Sequence, residues 1–221
     1  MEESTELARF NMIHQQIRPW GVLDERVLET MAEIPRESFV PDAYRGLAYA
    51  DIEVPIGIDN CMLAPKVVGR LLQALAVKPG DKTLEIGTGS GYLSACLSRL
   101  GARVVSLEID PVLANAARAR LERLEFARIE VREADGLAGP VQGGPFEAIA
   151  VTGSMPTDAA LGMLRDQLAV GGRLFCVIGE EPAMRAILVT RTSQTGFRQQ
   201  ALFETSLPSL LNVVEPAGFE F

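Results

Sequence analysis

One histidine and three cysteines in 221 residues leave few side chains for metal or nucleophile chemistry. His14 is far in sequence from Cys61, Cys96 and Cys176, and no Cys-x-x-Cys occurs. Zinc sites need ligands paired at short spacing, so no metal is expected. Excess positive charge is also missing. Against 29 Asp and Glu there are 21 Lys and Arg, a formal net charge of -8, with no dense basic run. A phosphate-tracking surface needs clustered cations, so neither nucleic acid nor a membrane surface is an expected partner. No run approaches the ~18 apolar residues of a membrane span. Residues 1–8 are acidic and polar, unlike a secretion signal. With an odd cysteine count, the expected location is a reducing cytoplasm.

What is present is apolar residue in quantity, 48% of the chain, enough to bury a large core. Leu7, Phe10, Ile13 and Ile17 recur at three- and four-residue intervals and predict a helix over 6–17 with those residues inward. Pro19 ends it, and Asp24 is a candidate N-cap for a helix to Glu33 with Val27, Leu28 and Met31 inward. A loop-rich stretch follows over 35–60, long enough to suggest service at a site. Pro65 then opens a helix to Leu75.

Beyond Pro79-Gly80 the pattern alternates. Strands are predicted over 83–86, 103–108, 129–133, 148–152 and 173–178, with helices over 92–100, 111–124 and 159–167 between them. Such alternation reads as α/β, a doubly wound, mostly parallel sheet with helices on both faces. Two more strands, 186–191 and 199–204, turn near Thr195-Gly196 and predict an antiparallel hairpin at one sheet edge. The expected organisation is an N-terminal helical and loop extension over 1–78, covering the site, and a ligand-binding α/β unit over 79–221. The closing Phe219-Glu220-Phe221 is expected to pack on its own sheet.

The informative segment is Leu84-Glu85-Ile86-Gly87-Thr88-Gly89-Ser90-Gly91-Tyr92, between a strand and a helix. Glycines there permit a tight turn and a close ligand. About twenty residues on, the next strand ends in Glu108, where a carboxylate can bind ribose hydroxyls. Asp135-Gly136 follows the third strand, and this Asp can accept from an adenine amino group. A bare glycine turn is often an ordinary connection, but three acids at successive strand ends are not. The spacing is G-x-G-x-G rather than the G-x-G-x-x-G of pyrophosphate binders, and Glu85 would repel a pyrophosphate. An acid there suits the amino group of a methionine moiety. The cofactor implied is cationic S-adenosyl-L-methionine, held by Glu85, Gly87, Thr88, Gly89, Gly91, Tyr92, Glu108 and Asp135.

Gln16-Ile17-Arg18-Pro19, Asp24-Glu25-Arg26-Val27-Leu28, Phe39-Val40-Pro41, Ala48-Tyr49-Ala50-Asp51, Val54-Pro55-Ile56-Gly57, the block "KPGDKTLEIGTGSGYLSACLSRLGARVVSLEID", "AVGGRLFCVIG" and "GFRQQALFETSLPSLL" extend over nearly the whole chain. Together they resemble the protein-L-isoaspartate O-methyltransferase family. That resemblance implies a Rossmann-like methyltransferase fold and repair by carboxyl methylation of damaged aspartyl residues in a protein or peptide. It also implies that Ile109 and Gly136 contact the cofactor beside Gly87, Glu108 and Asp135.

One block departs from the family. Its usual Thr-Ile-Ser run, a residue and then Pro aligns with Cys61-Met62-Leu63-Ala64-Pro65, so Cys61 and Leu63 replace the hydroxyls. Leu63, aligned with the family's Ser, cannot hydrogen-bond an acceptor; Cys61 and Asn60 are the remaining candidates beside it. Two alternatives to repair follow from this departure: a methyltransferase for another, small hydrophobic molecule, or a cofactor binder without transfer. A carboxylate acceptor is ionised at neutral pH and needs no general base, which agrees with the single histidine, expected to be structural.

Overall fold

The computed structural model of the chain describes residues 2–214; Phe219-Glu220-Phe221 lies outside them. Helix α1 (Glu2–Asn11) runs into a π-helical turn (Met12–Ile17) and a 3-10 turn (Arg18–Trp20), followed by α2 (Glu25–Glu33). Two more 3-10 turns (Arg36–Ser38 and Asp42–Leu47), the two-residue strands β1 (Val54–Pro55) and β2 (Cys61–Met62), and α3 (Pro65–Leu75) complete the N-terminal third. The remainder is β3 (Lys82–Ile86), α4 (Tyr92–Arg99), β4 (Arg103–Glu108), α5 (Pro111–Arg123), β5 (Ile129–Glu133), β6 (Phe146–Met155), α6 (Leu161–Asp166), β7 (Leu168–Ile178), β8 (Arg185–Arg191) and β9 (Phe197–Glu204).

The sheet has seven strands in the order β5-β4-β3-β6-β7-β8-β9. Strands β3 to β7 pair parallel, while β8 and β9 form the antiparallel edge. The chain winds outward from β3 through β4 and β5, then crosses back to place β6 on the other flank of β3. Ligands in such sheets bind beyond the strands' carboxyl ends at this reversal. β3 is buried on both faces from Thr83 to Ile86, as a central parallel strand requires.

Local sequence accounts for the element starts. Asp24 caps α2 by accepting from Arg26 N at 2.9 Å. Asp110 caps α5, accepting from Val112 N at 2.7 Å ahead of Pro111 in the first turn. α3 is capped from a distance: Asp51 Oδ1 accepts from Lys66 N at 3.1 Å.

One expectation fails. The first helix does not turn Leu7 and Phe10 inward; they are 60% and 56% exposed, while Met12, Ile13 and Ile17 are buried. The π-helical turn over Met12–Ile17 is the reason. Closing i to i+5 rather than i to i+4, it rotates the following face away from the one α1 began. The buried core joins both parts of the chain, with Met12, Met31 and Phe39 in one cluster with Phe175 and Val177. Apolar burial of this kind contributes ~1.5–3 kcal/mol per large side chain.

Candidate functional site

At the carboxyl ends of the strands, where the winding reverses, lies a cavity of about 350 Å³. Its wall is built from Ile86-Gly87 at the end of β3, Glu108-Ile109 at the end of β4, Asp135-Gly136 after β5, Thr152-Gly153 within β6, and two further segments. One is 58–63, around the β1–β2 turn; the other is 208–211, after β9. Of the predicted site residues, Gly91 alone is outside the wall. It starts α4 with φ +84°, and a Cβ there would press on Leu121.

The glycine turn is held by its neighbours. Gly87 N and Thr88 N both donate to Leu107 O, at 2.8 and 3.1 Å. Thr152 shares its hydroxyl between the carbonyls of Ile86 and Gly87, at 3.0 and 2.7 Å. Gly87 has φ +92°, and a Cβ on it would collide with Thr152 Oγ1. Its missing side chain is therefore needed for packing as well as for ligand approach. Thr88 is buried with its hydroxyl 2.6 Å from that of Ser106.

Glu85 is fully buried in β3. Its Oε2 accepts from Ser106 Oγ at 2.5 Å and from Ser94 Oγ, whereas Oε1 has no partner. Burial pushes its carboxyl up to about 7; the two serine hydrogen bonds oppose the shift, and the charge of Glu108 adds to it. Glu108 accepts from Gly89 N at 2.8 Å through Oε2 and from Asp110 N at 3.1 Å through Oε1, which fixes its side chain across the turn. Asp135 Oδ1 accepts from Leu137 N at 2.8 Å. With Asp59 and Asp110, five carboxylates line the cavity against one cation, Arg36. Such a wall favours a positively charged guest.

Arg36 was not singled out by sequence reasoning. It is wholly buried, donating from Nε to Ala48 O at 2.8 Å and from Nη2 to Leu63 O at 3.0 Å, and its Nη1 has no partner. Its guanidinium lies 5.0 Å from the centre of the Tyr92 ring, which meets Phe39 edge-on. Tyr92 is thus packed in the core, and burial drives its phenol well above the ordinary value. The nearest sequence signal for Arg36 is its place just before Phe39-Val40-Pro41.

Leu63 is buried in the wall, 7% exposed, and its carbonyl is the group Arg36 holds. Cys61 donates to Glu53 Oε2 at 3.3 Å; burial, then the nearby Glu53, pushes its thiol up to about 12, so it remains neutral. Asn60 is exposed at the rim and donates to Ile58 O at 3.1 Å. Lys66 is paired with Asp51 at 2.8 Å and Arg18 with Glu25 at 3.0 Å. His14 is exposed against Phe10 and is not part of the wall. Among the described residues, no group of three His, Cys, Asp or Glu is placed to hold a metal. No helix among them is long and apolar enough to cross a membrane.

The 208–211 segment was also missed as a site element. Ser154 N donates to Pro208 O and Leu210 N to Ser154 O, both at 2.9 Å, so the segment lies against the end of β6.

A family model described as Protein-L-isoaspartate(D-aspartate) O-methyltransferase (PCMT) matches residues 8–207. The chain belongs to this family. Protein-L-isoaspartate O-methyltransferase 2 of Marinobacter nauticus is 40% identical over 90% of this chain and 91% of its own. The Methylorubrum populi protein-L-isoaspartate O-methyltransferase is 38% identical over 97% of this chain and all of its own. A solved protein-L-isoaspartate O-methyltransferase superposes with TM-score 0.79 at 24% identity, over 91% of this chain and 65% of that one. A Plasmodium falciparum structure, assigned as such an enzyme in complex with S-adenosyl-L-homocysteine, superposes with TM-score 0.76 at 23% identity, over 90% of this chain and 96% of that one. The two structures agree with a Rossmann-like methyltransferase fold carrying an antiparallel C-terminal pair.

Proposed function

We propose that the chain methylates the carboxylate of isoaspartyl residues in damaged proteins, a repair reaction, with S-adenosyl-L-methionine as methyl donor. The observation that carries the donor is Glu85, a buried carboxylate in the cavity wall with one oxygen unpartnered. An ammonium group is the natural partner for that oxygen. The acceptor rests on family membership and on near full-length relatives named for isoaspartate.

The bound cofactor would supply a methyl group on a sulfonium, ready for in-line displacement. The chain's part is to bind and orient. Glu85 would hold the amino group, Glu108 the ribose hydroxyls and Asp135 the adenine amino group. The main chain of Gly87, Thr88 and Gly89 and the flanks of Ile109, Tyr92 and Gly136 complete the cradle; Gly91 acts through the turn it terminates. The acceptor carboxylate enters already ionised, so no side chain has to remove a proton. Residues 1–78 cover the site, a role supported by Ile56, Asn60, Cys61 and Leu63 in the cavity wall. Three free cysteines suit the reducing cytoplasm in which this repair would operate.

The test is methyl transfer from labelled cofactor to an isoaspartyl peptide, with its aspartyl counterpart and a cell metabolite extract as parallel acceptors. Base-labile label on the isoaspartyl peptide alone is expected. Label only in the extract would overturn the acceptor, and cofactor binding without transfer to any of them would overturn the activity.

A further inference from the structure

The opposite end of the sheet carries a second opening. Where β3, β4 and β5 begin, a shallow open groove of about 660 Å³ is lined by Lys82, Arg103 and Arg128. All three side chains are exposed. Among the described residues none of the three is ion-paired or hydrogen-bonded through its side chain, although the chain has a net charge of -8 and many of its other cations are paired.

The register makes this costly in the absence of a partner. Lys82 and Arg103 stand directly opposite one another on parallel strands. Arg128 comes next, its carbonyl accepting from Val104 N at 2.9 Å. Neighbouring strands are ~4.8 Å apart, and like charges facing each other across them repel. Among the described residues, none of the local carboxylates forms an ion pair with these three cations. Glu130 in the groove wall is held by Arg132 through two bonds of 2.8 Å, Asp81 accepts from Lys78 N at 2.8 Å, and Glu147 accepts from the main chain of Lys82 at 2.7 Å. The floor is kept low by Gly80 and Gly101, with φ +91° and +106°; a Cβ on Gly101 would strike Pro79 Cα at 2.7 Å.

We propose that this groove is a second ligand site, taking an anion with two linked phosphoryl groups. Three cations from three adjacent strand starts match a compact multivalent oxyanion. They are too few to track a nucleic-acid backbone. The source is either a bare polyphosphate or the phosphate tail of a nucleotide.

Calorimetric titration of the intact chain at low salt tests this, with pyrophosphate, ATP and sulfate as separate ligands. Pyrophosphate is expected to bind saturably at one per chain, and sulfate much more weakly. Arg103→Gln and Arg128→Gln should each weaken pyrophosphate about tenfold while leaving methyl transfer unchanged. ATP binding more tightly than pyrophosphate would assign the site to a nucleotide; equal binding would assign it to the polyphosphate alone, and either supports the proposal. Absence of saturable binding, sulfate binding as tightly as pyrophosphate, or unchanged affinity in both variants would overturn it.

Discussion

Asn212 donates through Nδ2 to Asp135 Oδ2 at 2.9 Å, tying the segment after β9 to the turn after β5. Asn212 holds a left-handed conformation, φ +59°, which asparagine tolerates better than most residues. The contact links the C-terminal wall of the cavity to the acid assigned to adenine. Asn212→Ala is expected to weaken cofactor binding about fivefold, or ~1 kcal/mol, because this bond of ~1.5–3 kcal/mol to a charged group acts on the cofactor only through Asp135. Asn212→Asp, which sets a carboxylate against Asp135, should weaken it further. Cofactor titration of the three proteins decides; equal affinities would show that Asp135 needs no such support.

Glu85 makes the empty protein sensitive to pH. Its carboxyl titrates near 7 when folded, against 4.5 ordinarily. Between those values the unfolded chain has lost a proton that the folded chain keeps. The stabilising contribution is therefore whole below about 4.5, declines as pH rises and is gone above about 7, a loss of about 3.5 kcal/mol at ~1.4 kcal/mol per unit. Denaturation midpoints across this window should fall for the wild type and stay flatter for Glu85→Gln. Cofactor affinity should rise over the same window, because the ionised form binds the ammonium group. Parallel stability curves for the two proteins would refute this assignment.

The periodic parts of the chain were legible and the side-chain-tethered parts were not. The strand starting at Arg103 and the helix starting at Pro111 could be read because alternation, a Pro in the first turn and an Asp cap are local signals. Glu85, Glu108 and Asp135 followed from their places at strand ends, and all three line the cavity. Arg36 could not be read this way: its partners, Ala48 O and Leu63 O, are main-chain groups 12 and 27 residues away. The wall at 208–211 had no periodicity to reveal that it returns to Ser154. Leu7 and Phe10 misled because a π-helical turn has no residue pattern of its own.

Two roles are proposed for Glu108, and substitutions can separate them. Its carboxylate bridges Gly89 N and Asp110 N, and its remaining lone pairs are assigned to ribose. Glu108→Ala should weaken cofactor binding by about tenfold or more, as expected when a buried charged partner is removed. Glu108→Gln keeps acceptor capacity toward one amide and should lose less stability while still losing affinity. Unchanged affinity in Glu108→Ala would show the ribose contact to be misplaced.

Gly87→Ala joins two separable penalties. The backbone sits at φ +92°, where a Cβ is strained, and the added carbon would meet Thr152 Oγ1. Together these should cost about 2–4 kcal/mol. Thr152→Ala removes the obstructing oxygen but leaves the backbone strain, so the double variant should be more stable than the sum of the single effects predicts. Strict additivity in denaturant midpoints would mean that Thr152 swings aside freely.

Leu63→Ser probes the acceptor side directly. The side chain is in the cavity wall, 7% exposed, and its main chain is already fixed by Arg36 through the carbonyl. A hydroxyl introduced there would face the acceptor without disturbing that anchor, and a hydrogen bond to a carboxylate is worth ~1.5–3 kcal/mol. Loss of buried leucine carbons should lower stability by ~2 kcal/mol. If the acceptor is an isoaspartyl carboxylate, kcat/KM for the isoaspartyl peptide should rise about tenfold despite the weaker fold. The aspartyl peptide should remain unmethylated. A variant that loses stability without gaining on the isoaspartyl peptide would show that the acceptor carboxylate does not lie against residue 63, and would shift the search for its contacts to the 208–211 wall.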